Sequence, residues 1–148
     1  MSHRPALPYA LGFAGVVPFA ASTAVLWAGP AAWQDAALTV VCAYALIILA
    51  FLGGVHWGIA LASGRAWQFV WSVVPSLVAL SAALFPVPAM LCALAAAYVA
   101  AGVVDVVVFR RDGPAWYVTL RLWLTVLVAP LILAAAFAPY LTTGGPAS

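Results

Sequence analysis

The chain has 148 residues, of which 68% are hydrophobic and only 5% are charged, and its formal net charge is +2. Soluble domains carry roughly a quarter charged residues, so this composition excludes a water-soluble globular domain and favours a surface that faces lipid. The basic residues are five arginines without a clustered patch, which argues against nucleic-acid binding.

Five apolar stretches follow one another, separated by short polar or proline-containing segments. A transmembrane helix takes about 20 residues, so five spans use roughly 100 residues and leave about 48 for loops and tails. We therefore predict an all-α membrane protein, a single bundle of five transmembrane helices over residues 1–148. The expected spans are residues 7–27, 35–62, 66–85, 89–109 and 114–139.

The first span starts near the N-terminus, but its apolar run continues through Trp27, which is longer than the core of a signal peptide. We interpret it as a helix that stays in the membrane. Pro18 lies within it, Pro75 within the third span and Pro130 within the fifth. Each proline removes one helical hydrogen bond, so we expect each of these helices to bend.

The second span carries His56 within the segment Phe51-Leu-Gly-Gly-Val-His-Trp-Gly58. Gly53, Gly54 and Gly58 are candidate helix-packing positions, because the G-x-x-x-G step from Gly54 to Gly58 lets another helix approach closely. His56 then has two interpretations. It hydrogen-bonds to a neighbouring helix at a tight contact, or it serves as a ligand-binding or proton-exchanging histidine in a crevice.

Two further ionisable residues lie inside spans at a similar depth. Depth can be counted along each helix from a residue at the cytoplasmic end, at a rise of 1.5 Å per residue. By this count His56 lies roughly 13 Å from Arg65, Asp105 roughly 7 Å from Arg110, and Arg121 roughly 10 Å from Pro114. Asp105 and Arg121 are candidates for a buried ion pair between antiparallel neighbours, although Arg121 could instead extend to the lipid headgroups. Four other side chains come from similar levels and complete a candidate polar cluster: Trp57, Ser72, Ser76 and Tyr117.

The positions of the arginines predict the orientation of the chain. Arg4, Arg65, Arg110 and Arg111 flank the ends of spans that share one face, and Arg121 lies towards that face. Because arginine is retained in short cytoplasmic loops, the N-terminus should be cytoplasmic and the C-terminus periplasmic. Trp27 and Trp33 would then mark the outer interface, and three tryptophans the inner one: Trp67, Trp71 and Trp116.

Candidate chemistries can be compared with the residues available. Zinc prefers three or four Cys, His or carboxylate ligands, and Cys42 and Cys92 fall near the opposite membrane face, so no metal site is predicted. The two cysteines fit best as buried small hydrophobes, with a disulfide as the alternative. His3 lies in the tail, so haem or a quinone is expected only if a partner completes the site. We see no nucleophile motif, and therefore name no catalytic residue and favour a non-enzymatic protein.

Four segments also carry a resemblance to a known family. They are Leu11-Gly-Phe-Ala-Gly-Val-Val-Pro-Phe19, the His56 segment, Trp71-Ser-Val-Val-Pro-Ser76 and Pro114-Ala-Trp-Tyr117 with Leu120-Arg121. Through them the chain resembles the small bacterial inner-membrane proteins grouped as domain of unknown function 3429, which have mitochondrial transmembrane relatives. The resemblance implies a small multi-pass helical bundle in the bacterial inner membrane, and it implies no activity.

Two hypotheses for function follow. The first is an accessory or assembly component that packs against a larger membrane complex or another copy of itself, with the lipid bilayer as its surroundings. The second is a small carrier or ligand-binding bundle in which His56, Asp105 and Arg121 line a crevice on the cytoplasmic side. In that case Arg121 would hold a negative group and the imidazole would exchange a proton near neutral pH. The ligand would be a proton, a quinone-like molecule or an anion.

Overall fold

The computed structural model describes residues 6–142, apart from the side chains of Asp112 and Thr142. Arg4 and His3 lie outside the described residues. The prediction of an all-α protein is confirmed, since residues 6–142 form helices and connecting turns without a strand. Helices α1 to α7 cover Ala6–Ala14, Val17–Ala28, Ala31–Ser63, Ala66–Ala82, Val87–Asp112, Ala115–Ala136 and Pro139–Thr142.

These helices form five rod-like sections, of which four are long and apolar enough to cross a membrane: Ala6–Ala28, Ala31–Ser63, Val87–Arg111 and Ala115–Leu141. The remaining section, α4, is apolar but has 17 residues. At 1.5 Å per residue it is about 26 Å long, slightly shorter than a hydrocarbon core of about 30 Å. The chain is thus a helical protein of the membrane type, with one section at the lower limit for a span.

The first section is broken just before Pro18, where the sequence predicts a bend in one helix. Helix α1 ends at Ala14 and α2 begins at Val17, with a turn at Gly15 and Val16 between them. Pro18 lies in the first turn of α2. Its ring would clash with the carbonyl of Ala14 in an unbroken helix, and it has no N–H to donate. The interruption therefore has a local cause, and it leaves an irregular segment inside the bundle.

The other helix bounds differ from the expected spans by a few residues. Helix α3 starts at Ala31 rather than residue 35, and α5 extends from Val87 to Asp112. Helix α4 stops at Ala82, and the amides of Leu84 and Phe85 bond three residues back. Proline disfavours the helical conformation of the residue that precedes it, so the helix ends before Pro86.

Two antiparallel helix pairs, α3 with α4 and α5 with α6, have the most extensive packing, and α2 packs against both α3 and α6. The Tyr9 hydroxyl donates to the carbonyl of Trp116 at 3.1 Å, and the Trp27 indole donates to the carbonyl of Ala134 at 3.0 Å. These bonds join the first section to α6 at both ends, so the two run parallel. The fully buried side chains between the helices include Phe19, Leu26, Leu49, Leu91, Leu94 and Ile132.

Glycines determine where the paired helices approach most closely. A Cβ on Gly53 would overlap the carbonyl oxygen of Ser72 in α4, and one on Gly102 would overlap the Thr125 hydroxyl in α6. By contrast, Gly54 and Gly58 are exposed, and nothing among the described residues lies within 4 Å of a Cβ added at either. The predicted G-x-x-x-G step therefore faces out of the bundle, and within the chain Gly53 makes the close contact.

Cys42 and Cys92 are free thiols, and both are half-buried against the apolar core. Their environment is that of small hydrophobic side chains, without a disulfide between them.

Candidate functional site

The structure brings His56, Asp105 and Arg121 into direct contact, from helices α3, α5 and α6. One Asp105 oxygen, Oδ1, lies 2.7 Å from His56 Nε2, and the other, Oδ2, accepts a hydrogen bond from Arg121 Nε. The exposed fractions of the three residues are 1%, 3% and 6% respectively. Arg121 therefore pairs with Asp105 inside the bundle and does not extend to the headgroups. We call these three residues the buried triad.

Close helix contacts on each side hold the buried triad. Asp105 follows Gly102 by one turn on α5, and Arg121 precedes Thr125 by one turn on α6. The Gly102–Thr125 contact lets α5 and α6 approach at this level, and the Thr125 hydroxyl donates to the Arg121 carbonyl at 2.9 Å. On α3, Gly53 lies one turn before His56. The same small residues that bring the helices together thus set the heights of the charged side chains.

Three aromatic rings lie around His56. The ring centroids of Trp67 and Trp71 lie 6.4 Å from the imidazole, and that of Phe109 lies 6.0 Å away. Tyr117 in turn packs on Phe109 at 4.4 Å. This apolar enclosure limits access of water to the imidazole, so its interaction with Asp105 takes place in a low dielectric.

Other residues of the predicted polar cluster do not bond to the buried triad. Trp57 is 48% exposed and packs edge-to-face on Phe69 at 5.1 Å. The Ser72 hydroxyl donates to the carbonyl of Phe69 at 2.6 Å, within its own helix, and Ser76 lies half-buried one turn further along α4. Tyr117 is linked to the site indirectly, because it packs on Phe109, which borders His56.

From the sequence, Trp67 and Trp71 are predicted only at the membrane interface, and Phe109 is not a predicted site residue. The spacing of Trp67 and Trp71, and of Asp105 and Phe109, is four residues, which places both members of each pair on one helix face. That spacing was the available signal. It could not identify which face turns inward.

Two nitrogens of the buried triad are buried without a hydrogen-bond partner among the described residues: His56 Nδ1 and Arg121 Nη2. An ionised carboxylate only accepts, so His56 Nε2 donates to Asp105, and Nδ1 carries the lone pair when the imidazole is neutral. The formal charges are then −1 for Asp105, +1 for Arg121 and 0 for His56, which sum to zero. Protonation of His56 would raise the sum to +1. A buried polar group left without a partner costs about 1–3 kcal/mol.

A cavity of about 350 Å³ adjoins the arginine end of the buried triad. It lies at the break between α1 and α2 and is bordered by α3, α5 and α6. Arg121 is the one charged residue in its lining, and the remainder is apolar, aromatic or glycine. His56 and Asp105 are not part of the lining, so the cavity lies beside the buried triad and not within it. Its walls include Leu11, Gly15, Phe19, Tyr44, Leu52 and Tyr98.

The cavity has the size and composition of small-molecule sites, which are typically 300–1,000 Å³, mostly apolar, and supplied with a few polar groups. Gly15 borders it at the helix break, where a Cβ would lie 3.6 Å from the Tyr44 hydroxyl. Tyr98 is held in place because its hydroxyl donates to the Ala45 carbonyl at 2.9 Å. For metal binding, residues 6–142 offer no group of three or more His, Cys, Asp or Glu side chains.

Comparison with protein-family models matches residues 4–137 to a family described as "Protein of unknown function (DUF3429)". This confirms the family resemblance predicted from the sequence. Neither a curated protein nor a solved structure gives a significant match.

Proposed function

Because this chain belongs to the DUF3429 family of proteins of unknown function, its activity has to be argued from its own geometry, and we propose that it binds a small amphipathic molecule within the membrane. The observation that carries this proposal concerns Arg121, which lines an apolar cavity: its Nη2 is buried and has no hydrogen-bond partner within residues 6–142 as described. A ligand with one hydrogen-bond acceptor and an apolar body would satisfy both features. No catalytic step is required of the protein.

Charge balance selects the kind of acceptor. Asp105 already neutralises Arg121, so a fully charged anion would add an uncompensated negative charge to a buried site. A neutral carbonyl, as in a quinone-like molecule, adds none, and a hydrogen bond to a charged donor contributes about 1.5–3 kcal/mol. An anion would fit only together with a proton on His56, which would keep the sum of charges at zero. We therefore favour a neutral carbonyl compound over an anion.

The test compares two adjacent isoleucines of α3. Ile48 lines the cavity, whereas Ile47 is 64% exposed on the outer face. We expect Ile48→Trp to fill the cavity and weaken binding of a radiolabelled short-chain benzoquinone by about tenfold or more, or about 1.4 kcal/mol. Ile47→Trp should bind like the unmodified protein.

Binding would be measured on purified protein in detergent, with octanoate as a second probe. Equal benzoquinone binding by both variants would show that the cavity is not the site. Binding of octanoate without binding of the benzoquinone would overturn the choice of a neutral ligand.

A second candidate function is that of an accessory or assembly component, in which the chain packs against another membrane protein. The observation in its favour is the outward G-x-x-x-G step, because Gly54 and Gly58 present bare backbone to the lipid where a foreign helix could approach. We place such a protein in the bacterial inner membrane. The two functions are compatible, since neither Gly54 nor Gly58 lines the cavity.

A further inference from the structure

A second groove lies on the outer surface of the bundle, between the start of α4 and the C-terminal half of α5. It has a volume of about 510 Å³ and is separate from the cavity beside Arg121. Its walls are the Trp67 ring and four valines of α5, among them Val103 and Val107, and Arg65 and Arg111 also line it. The groove thus combines an apolar wall with two cationic side chains.

The apolar and cationic parts are arranged in order along α5. Val103, Val107 and Arg111 succeed one another every four residues on a single helix face. At 1.5 Å per residue the distance from Val103 to Arg111 is about 12 Å. Val103 and Val107 are 56% and 58% exposed, so this wall is open to the surroundings. The arginines lie at the helix end, and the valines lead from them towards the centre of the span.

The charge at this end of the bundle is positive. Arg65, Arg110 and Arg111 contribute +3, and Asp112 contributes −1, which gives +2 by formal count. This net positive charge attracts an anion. The valine wall requires that the anion carry a hydrocarbon chain, because a free phosphate would leave that wall uncovered. Basic pockets between membrane helices bind anionic lipid headgroups in this way.

We propose that the groove is a specific site for one anionic phospholipid, whose phosphate contacts Arg65 and Arg111 and whose acyl chain lies along Val103 and Val107. A zwitterionic phospholipid presents the same chain and phosphate but carries its own cation. It therefore gains less from the net positive charge. This site does not depend on the ligand cavity, since it uses α4 and α5 residues that the cavity does not contain.

The experiment measures lipid retention by the full chain in mild detergent, using native mass spectrometry with phosphatidylglycerol and phosphatidylcholine. We expect phosphatidylglycerol to be retained in preference to phosphatidylcholine. Arg111→Gln should reduce retention of phosphatidylglycerol by about fivefold, because each basic residue near a lipid surface contributes about 1 kcal/mol. Arg110→Gln is the matched control, since Arg110 is exposed but does not line the groove.

A third variant tests the apolar part. Val107→Trp fills the groove without changing the charge, so it should lower retention as well. Equal losses for Arg110→Gln and Arg111→Gln would mean a diffuse surface charge and would overturn the site. So would full retention by Val107→Trp, or complete displacement of the lipid by an equal concentration of inorganic phosphate. Unfolding temperatures equal to that of the unmodified protein would show that each variant is folded.

Discussion

Asp105 is the residue on which the buried polar network depends. Each of its oxygens serves a different helix, His56 on α3 and Arg121 on α6. A charged residue at the centre of a membrane span costs about 2.5–3.5 kcal/mol even on the mild insertion scale, and a partner of opposite charge offsets much of that cost. The carboxylate therefore has a structural role in compensating Arg121, whatever the cavity binds.

Replacement of Asp105 tests this role. Asp105→Ala leaves the guanidinium of Arg121 buried without a counter-charge, so we expect the free energy of unfolding to fall by about 3–5 kcal/mol. The double variant Asp105→Ala with Arg121→Met should recover much of this loss, because no unpaired charge remains. Thermal unfolding in detergent, followed by helical circular dichroism, measures both.

His56→Gln serves as the comparison, since it removes the other partner of Asp105 and leaves the ion pair with Arg121 in place. Its loss of stability should be smaller than that of Asp105→Ala. A double variant no more stable than the single one would contradict the charge argument.

At the scale of the helix, α3 presents two different glycine faces. Gly53 is buried where the backbone of α4 approaches, and Gly54 is exposed beside it. Adjacent residues on a helix point about 100° apart, so one glycine can make an internal contact while the next faces lipid. The sequence pattern alone favoured the Gly54–Gly58 pair, because spacing shows that two glycines share a face without showing which face meets a neighbour.

Paired substitutions at these two glycines distinguish their roles. Gly53→Ala places a Cβ against the Ser72 carbonyl, and overpacking of this kind typically costs about 1–3 kcal/mol. Gly54→Leu enters open space and should leave the unfolding temperature unchanged. If a partner helix uses the outward glycine step, however, Gly54→Leu should reduce co-purification of that partner from mild detergent.

Each variant should therefore affect one measurement only. Gly53→Ala should lower the stability, and Gly54→Leu should lower the recovery of the partner. Loss of stability in Gly54→Leu would contradict the outward placement. Isolation of a lone monomer from unmodified cells would count against the accessory function while leaving the contact of Gly53 unaffected.

At the scale of the whole molecule, the helices place the arginine-bearing loops at one end of the bundle. Arg65 precedes α4, and Arg110 and Arg111 lie in the last turn of α5. The opposite end carries the Trp27–Ala134 bond and a hydrogen bond from the Tyr140 hydroxyl to Asp35. From the distribution of arginine we propose that the arginine end faces the cytoplasm.

Labelling of single cysteines tests this orientation. In a chain with Cys42 and Cys92 replaced by alanine, a cysteine would be introduced at Ala31 or at Ala66, which are exposed first residues of α3 and α4. We expect a membrane-impermeant maleimide to label Ala31→Cys in intact spheroplasts, and to label Ala66→Cys only after lysis. The reverse pattern would invert the proposed topology, and labelling of both before lysis would show that α3 does not separate two aqueous sides.

The sequence by itself determined the class of the protein and predicted a common level for its three buried ionisable residues. In lipid every backbone N–H and C=O must be hydrogen-bonded within the protein, so long apolar runs without barrel-like alternation form helices. The fixed rise per residue of a helix then converts sequence position into distance along the helix axis. Those two rules brought His56, Asp105 and Arg121 to a common level. A common level is necessary for contact, but it does not specify direction around the helix axis.

Only the tertiary structure decided which faces meet. In a soluble protein the contrast between polar and apolar positions marks the inner face of a helix. Here the lipid is as apolar as the core, so the sequence carries little contrast between inside and outside, and close packing of small residues sets the direction instead. For this reason the contact at Gly53, the enclosure of His56 by Phe109 and the cavity beside Arg121 emerged from the structure and not from the pattern of residues.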